Sequence, residues 1–163
     1  MRVRSLREEE RPWLRATLAE RWHADVVVGR GRVYRPHELP ALVAEADDGE
    51  RIGIATYLRE GDLVEMLTLN ALREGAGAGG ALVDAVVEQA RADGAARVRV
   101  MTTNDNTRAL RLYQRHGFSL VDLRPGAVDA ARSRLKPSIP QTGNDGIPIR
   151  DEIDLVLELR PVA

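Results

Sequence analysis

The run Glu74-Gly75-Ala76-Gly77-Ala78-Gly79-Gly80 constrains the fold more than any other part of this chain. It follows an apolar segment that contains Leu63, Leu67 and Leu69, and it opens into a helical pattern. The first backbone N–H groups of a helix have no partner within the helix and point at an incoming anion. Small residues let such a ligand approach the backbone closely. The sequence therefore predicts a strand, a phosphate-binding turn and a helix here.

A second motif lies one predicted strand further along the chain. It has the form N-x-x-A-x-x-x-Y-x-x-x-G-F and is carried by Asn106, Ala109, Tyr113, Gly117 and Phe118. Asn106 and Tyr113 are about two helical turns apart, so both side chains share one face of the predicted helix. Gly117 is typical of the residue that ends a helix.

Hydrophobic periodicity predicts a mixed sheet with an antiparallel meander first and a β-α-β-α-β unit second. Strands are predicted at 3–6, 42–46, 52–58, 63–69, 98–101, 118–123 and 153–159. Helices are predicted at 8–20, from the glycine run to Gly94, at 107–116 and at 127–135. The segment 24–35 is ambiguous, because Gly29 and Gly31 interrupt a pattern that otherwise indicates a strand.

Composition excludes several classes of protein. A length of 163 residues suits one domain over 1–163. The net charge is −1 without a basic block, which argues against nucleic-acid binding. There is no cysteine, and the three histidines lack metal-ligand spacing, so no metal site is expected. No apolar run is long enough to cross a bilayer and no signal-peptide core is visible, so we expect no membrane partner and a cytoplasmic location.

Together the two motifs resemble those of the GNAT superfamily of acyl-CoA N-acyltransferases. The first motif of that family is commonly Arg or Gln followed by x-x-G-x-G or Ala, and here Glu74 takes the first place. Glu74 is therefore expected to point away from a bound phosphate or to pair with Arg73. The resemblance implies an α/β fold of GNAT type. That fold is a mixed, mostly antiparallel sheet of about seven strands, flanked by helices and splayed at a cofactor cleft between the central strands.

The resemblance also implies a chemistry and a set of residues. Acetyl-CoA is the expected co-substrate, with an amine on a small molecule or peptide as acceptor. Backbone groups of the glycine run would hold the pyrophosphate, and a backbone N–H of Leu67 or Leu69 would bind the oxyanion. Tyr113 would protonate the leaving sulfur as general acid. The predicted cofactor-binding residues are Leu67, Leu69, Gly75, Ala76, Gly77, Ala78, Gly79, Gly80, Asn106 and Ala109.

Glu65 is the first candidate for the general base or for an anchor of the substrate amine. Alternation along the predicted strand places it on the same face as Leu67 and Leu69. A lone carboxylate on a mostly apolar strand lies either at a site or at a wet edge. His23 and Glu152 are weaker candidates, and a water chain without a single base stays open.

Two other functions compete with acetyl transfer. A catalytically weak acyl-CoA-binding or regulatory domain could have the same fold. Gly75-x-Gly77-x-x-Gly80 also satisfies the dinucleotide fingerprint of an oxidoreductase, and Asp105 falls near the end of the next strand. That fold usually begins with this unit, whereas about seventy residues precede it here.

The segment 124–152 is long for a connection between two strands, and its second half is rich in proline and glycine. We expect it to pack over the acceptor end of the cleft and against a second chain in a homodimer.

Overall fold

The computed structural model describes residues 1–160, which form a sheet with helices on both faces. Its strands are β1 (Arg2–Ser5), β2 (Val27–Gly29), β3 (Arg32–Tyr34), β4 (Ala41–Glu45), β5 (Arg51–Glu60), β6 (Leu63–Ala71), β7 (Arg97–Thr103), β8 (Ser119–Arg124) and β9 (Glu152–Glu158). Its α-helices are α1 (Arg11–Trp22), α2 (Ala78–Ala92), α3 (Thr107–Arg115) and α4 (Ala127–Arg134). Residues 161–163 of the predicted domain lie outside the described residues. Within 1–160, none of these helices combines the length and apolar character that a bilayer crossing requires.

Seven strands form the main sheet, in the order β1-β4-β5-β6-β7-β9-β8. Only β6 and β7 are parallel, and every other neighbouring pair is antiparallel. The predicted mixed, mostly antiparallel sheet of seven strands is confirmed. The predicted β-α-β-α-β unit is β6-α2-β7-α3-β8, but β9 lies between β7 and β8 in the sheet.

The ambiguous segment 24–35 forms a β-hairpin of its own, in which β2 pairs with β3. The two residues of its turn, Arg30 and Gly31, have φ angles of 50° and 72°. Positive φ at both positions is what a two-residue type I′ turn requires. The hairpin packs against β7, because a Cβ added to Gly29 would lie 2.8 Å from Met101 Sδ.

The predicted helix at 8–20 begins later and ends later than expected. Residues Glu8–Glu10 form a 3-10 turn, and α1 follows with Pro12 in its first turn, as predicted. The Glu10 carboxylate caps the 3-10 turn, because it accepts the Arg7 backbone N–H at 3.0 Å and pairs with Arg4. This is the capping interaction that fixes a helix N-terminus.

The two faces of the sheet differ in character. Helices α2 and α3 pack on one face over an apolar core that includes Leu82, Val98 and Leu155. Helix α1 packs on the other face over β4 and β5, against Ala41 and Ile54. Over β6 to β9 this second face is instead lined by charged side chains, and the hairpin and α4 cover it.

Candidate active site

The central parallel strands separate from each other. Register between β6 and β7 runs only from Leu63 opposite Arg97 to Met66 opposite Val100. Beyond these residues β6 continues along β5, and β7 continues along β9. The facing strand edges past Met66 and Val100 therefore have no partner strand, which confirms the predicted cleft.

A β-bulge marks the point where the strands part. In the pairing of β5 with β6, Tyr57 lies opposite Met66 and Thr56 lies opposite Thr68, so Leu67 has no partner. An extra residue of this kind interrupts the alternation of side chains along a strand. On the α1 side of the sheet, the hydroxyls of Thr56 and Thr68 hydrogen-bond at 2.7 Å.

The backbone of Leu69 faces the cleft. The Leu72 N–H donates to the Ile52 carbonyl at 2.9 Å, so these two residues form a hydrogen-bonded pair across β5 and β6. Such pairs alternate along antiparallel strands with pairs whose backbone groups point away from each other. Asn70 therefore bonds to β5, and the N–H and C=O of Leu69 point toward the free edge.

Helix α2 begins where β6 leads into the glycine run. Its N-cap is Gly77, with φ 74° and ψ 7°, and no side chain caps the helix. The first amide with an intrahelical partner is that of Ala81, which donates to the Gly77 carbonyl at 3.2 Å. A Cβ added at Gly75 or Gly77 would meet nothing within 4 Å, so the space in front of the free amides is open. These features fit an anionic phosphate group.

The residues in the second half of the glycine run have small side chains for a different reason. A Cβ on Gly79 would lie 3.6 Å from Leu112 Cδ2, and one on Gly80 would lie 3.2 Å from His116 Nε2. Ala78 is buried in the core beneath α2. At these three positions the small side chains allow α2 to pack closely on α3 and the sheet, while the amides at the start of α2 remain free.

Glu74 pairs with a residue that the sequence did not suggest. Its carboxylate lies 3.0 Å from Arg108 Nη1 at the start of α3. Arg73 instead pairs with Glu50 at 2.6 Å, so the expected pairing of Glu74 with Arg73 is wrong. Both partners of the actual pair are exposed, and Arg108 brings a positive charge to the edge of the glycine run.

Asn106 and Ala109 bind each other. The Asn106 side-chain oxygen accepts the Ala109 backbone N–H at 3.1 Å, which makes Asn106 the N-cap of α3. This is the usual role of asparagine at a helix start. The predicted contacts of Asn106 and Ala109 with a cofactor stay a prediction. Because the Asn106 side-chain oxygen already accepts the Ala109 N–H, the predicted contact of Asn106 would use the rest of its side-chain amide.

Tyr113 lies in the core, in the last turn of α3. Its ring packs against Phe118 with centroids 5.7 Å apart and planes inclined by 53°. Burial raises the pKa of its phenol well above the usual range, so the hydroxyl is protonated at neutral pH. Its role as an acid stays a prediction.

Glu65 lies on the charged face of the sheet, and its side chain is only 4% exposed. Its Oε1 pairs with Arg30 at the tip of the hairpin, and its Oε2 accepts Arg99 Nη2 at 2.9 Å. The predicted common face with Leu69 is wrong, because the bulge at Leu67 reverses the alternation. Leu69 packs on the opposite side, with the core under α2.

The charged face continues across β9 and β8. Arg124 donates to Asp154 at 2.9 and 3.0 Å and to Glu152 at 3.1 Å. Arg30 also contacts both carboxylates, through its side chain to Asp154 at 3.0 Å and through its backbone N–H to Glu152 at 3.2 Å. Burial works to raise the pKa of Asp154, but the Arg124 hydrogen bonds and the nearby arginines outweigh it and lower that pKa.

Sequence reasoning missed four members of this network: Arg30, Arg99, Arg124 and Asp154. A signal was present, since Glu152 and Asp154 alternate with apolar residues, as do Arg97 and Arg99. Such alternation predicts a sheet face that is not apolar. Glu152 itself is engaged by arginines, and the other weak candidate, His23, lies at the C-cap of α1.

A pocket of about 330 Å³ opens beside this network, between the hairpin tip and α4. Its polar lining consists of Arg30, Arg124, Arg134 and Glu152, and its apolar wall is formed by Leu135 and the alanines of α4. Arg30 therefore lines the pocket and also contacts Glu65.

The proline-rich segment is tied to both ends of this region. Lys136 is buried, and its ammonium donates to the carbonyls of Trp22 at 2.5 Å and Val26 at 2.9 Å. At the end of β7, the Asn104 amide donates to the Pro148 carbonyl at 2.9 Å. Asp105 accepts the Asn144 backbone N–H at 3.1 Å. The segment thus connects the hairpin base with the end of β7.

A parallel strand pair that opens beside the free N-terminus of a helix is the arrangement that the resemblance to acyl-CoA N-acyltransferases implied. The profile of the Acetyltransferase (GNAT) family matches residues 2–118. The chain belongs to this family, whose chemistry is acetyl transfer.

Individual proteins are similar to this chain in sequence or in fold. The Bacillus subtilis protein YdhI, which is described as uncharacterized, is 38% identical over 135 residues, or 83% of this chain and 84% of its own. A Bacillus subtilis acetyltransferase in complex with CoA superposes with a TM-score of 0.70 and 20% identity, covering 98% and 99% of the two chains. An IAA acetyltransferase from Bacillus cereus gives 0.75 and 23%, covering 97% and 99%.

Proposed function

We propose that this protein transfers an acetyl group from acetyl-CoA to a primary amine by direct attack. One observation carries the proposal: the free edge of β6 leads straight into the glycine run that begins α2. Acetyl-CoA carries phosphate groups and an amide-containing pantetheine arm. The free amides of α2 suit the phosphates, and the free backbone groups of β6 suit the arm.

The residues suited to hold acetyl-CoA lie along this path. The amides at the start of α2 suit the pyrophosphate, and the Leu69 backbone suits an amide of the pantetheine arm. Arg108 could exchange its exposed partner Glu74 for a phosphate at little cost, because exposed ion pairs contribute only about 0–1 kcal/mol. Acetyl-CoA supplies the thioester carbon that the amine attacks.

Glu65 and Tyr113 are the proposed base and acid. Glu65 lies two residues before the bulge, and contact with two guanidinium groups favours its ionised form. An ionised carboxylate can accept a proton from an ammonium substrate, directly or through water. Tyr113 holds its phenolic proton at neutral pH and can donate it to a leaving thiolate.

The test is thiol release from acetyl-CoA in the presence of four amines of different class. These are butylamine, putrescine, 2-phenylethylamine and a tetrapeptide with a free N-terminus. We expect at least one to accelerate thiol release over the amine-free rate, with an equal amount of N-acetylated product. The absence of acceleration with all four, in protein that binds CoA, would contradict the proposal.

A domain that binds acyl-CoA without transferring the acyl group is the second candidate. One observation favours it, since arginines engage both Glu65 oxygens and leave no free one for an acceptor amine. The thiol assay separates the two candidates, because such a domain would bind CoA and release no thiol in response to amines.

A further inference from the structure

Arg30 has an unusual backbone for its residue type. Its φ of 50° lies in the left-handed region, at the first position of a type I′ turn completed by Gly31. Asn, Asp or Gly is favoured there, and Asn-Gly is the preferred pair. The arginine side chain is therefore not what the turn itself requires.

Arg30, whose guanidinium contacts Glu65, links the pocket to that carboxylate. It lines the pocket of about 330 Å³ on one side. On the other side it contacts Glu65 Oε1 on β6 and Asp154 Oδ1 on β9. An amine that enters from the pocket meets this guanidinium before it meets Glu65.

The charges around Glu65 indicate which kind of group would replace the Arg30 guanidinium if it moved away. The network contains the carboxylates Glu65, Glu152 and Asp154, each at most 6% exposed, and the arginines Arg30, Arg99 and Arg124. The three arginines balance the three buried carboxylates, while Arg124 also pairs with the exposed Asp122. Burial of an uncompensated carboxylate is costly, so the departure of one cation favours the entry of another.

We infer that Arg30 is a specificity-determining latch, whose guanidinium occupies the position beside Glu65 that the ammonium group of the acceptor must take. This inference rests on the proposed function, in which Glu65 binds and deprotonates the acceptor. Binding is then an exchange of one cation for another, which selects acceptors that enter as ammonium ions. Arg99 stays on Oε2 and keeps the carboxylate oriented.

The decisive variant is Arg30→Asn. Asparagine suits the left-handed turn beside Gly31, so the hairpin is retained while the competing cation is removed. The matched control is Arg32→Gln on the same hairpin, which removes an arginine that pairs with the exposed Glu60 and stacks on Tyr34. Arg30→Lys is a second variant that keeps the charge but loses the planar fork.

The measurement is the slope of acetylation rate against butylamine concentration at neutral pH, with acetyl-CoA saturating. Butylamine is suitable because it carries an ammonium group and no other polar group. We expect Arg30→Asn to increase the slope three- to tenfold over that of the parent. The slope of Arg30→Lys should lie between those of Arg30→Asn and the parent, and the slope of Arg32→Gln should equal that of the parent. A slope for Arg30→Asn that is equal to or below that of the parent would overturn the inference, including the case in which neither protein acetylates butylamine.

A pH series provides a second readout. Glu65 faces Arg30 from the hairpin and Arg99 from β7, while Asp154 and Arg124 lie next in the network. Removal of Arg30 takes a positive charge away from the Glu65 carboxylate and so favours its protonated form, which should move the acid limb of the slope to higher pH in Arg30→Asn. An unmoved limb counts against the latch. If Glu65→Gln retains full activity, the proposed base fails instead, and the two failures are thereby distinguished.

Discussion

Tyr113 shows what spacing along a helix can and cannot predict. Its separation from Asn106 predicted that both side chains share one helix face, and the structure places Asn106 at the N-cap of α3 with Tyr113 about two turns further on. The depth of the ring in the core depends on Phe118 and on the sheet beneath, so the sequence of the helix alone does not contain it. Asn106 proved to be the helix cap, a role that competes with its predicted contact to the cofactor.

Replacement of Tyr113 by Phe tests the proposed acid. The ring and its packing against Phe118 are retained, so the change removes the hydroxyl alone. We expect kcat to fall roughly 10²-fold, because a thiolate leaves fairly well without help. CoA affinity and melting temperature should be unchanged. An unchanged kcat, where chemistry limits the rate, would make Tyr113 a core residue only.

Replacement of Glu65 by Gln tests the proposed base. The change removes the charge that Arg30 and Arg99 contact, so we expect a loss of stability of about 1–3 kcal/mol. Turnover per folded molecule should fall by roughly 10²-fold or more while CoA affinity is retained. Calorimetry and initial rates across pH check both effects. A variant with the pH profile and rate of the parent would assign Glu65 a structural role.

At the scale of elements, local patterns predicted what local interactions determine. Helix α2 and the meander of β4, β5 and β6 follow from periodicity and turn residues. The bulge at Leu67 was missed because Leu67 and Leu69 are both apolar, so the inserted residue leaves the pattern unbroken. The position of β9 between β7 and β8 depends on pairing between distant segments, which periodicity does not report.

The junction of β1 and α1 should control stability in acid. Hydrogen bonding to Arg4, with contributions from Arg7 and Arg51, lowers the pKa of Glu10 from 4.5 to about 2 despite partial desolvation. A carboxylate with a lowered pKa stabilises the fold above its unfolded value, and this stabilisation is lost as pH falls through the folded value. The stability difference between the parent and Glu10→Gln should therefore shrink between pH 4.5 and about 2.

Denaturant unfolding at several pH values measures this difference. The control is Glu8→Gln, which removes a carboxylate of the same turn that pairs with Arg11 at an exposed position. We expect Glu8→Gln to change stability little at any pH, because exposed ion pairs contribute little. A stability gap for Glu10→Gln that is constant across this range would contradict the assignment.

At the scale of the whole molecule, we propose the exposed edge strand β8 for a homodimer contact, in place of the segment 124–152 that was expected from the sequence. Leu120, Val121 and Leu123 are 52–57% exposed along this strand, beyond which the sheet has no further strand among residues 1–160. A free edge with apolar side chains favours pairing with another strand. A net charge of −1 gives little repulsion between two copies.

Sedimentation of the parent and of Leu123→Lys tests this contact. We expect the parent to sediment as a dimer and the variant as a monomer with an unchanged melting temperature, because Leu123 is mostly exposed. A monomeric parent at all concentrations would remove the dimer, and a dimeric variant would move the contact elsewhere.

The central claim is that the opening between β6 and β7, together with the start of α2, binds acetyl-CoA, and two glycines offer a matched test. Gly77 is the N-cap of α2 with φ 74° and ψ 7°, and Gly126 is the N-cap of α4 with φ 72° and ψ 2°. A Cβ at either position meets nothing within 4 Å, so Asp causes the same local strain at both.

Calorimetric titration with CoA of the parent, Gly77→Asp and Gly126→Asp is the most direct measurement. Only Gly77→Asp brings a carboxylate to the free amides of α2, where it repels phosphate. We predict that it weakens CoA binding at least tenfold, or by about 1.4 kcal/mol, while Gly126→Asp binds like the parent. Equal CoA affinity in folded Gly77→Asp and Gly126→Asp would contradict the assignment of this cleft.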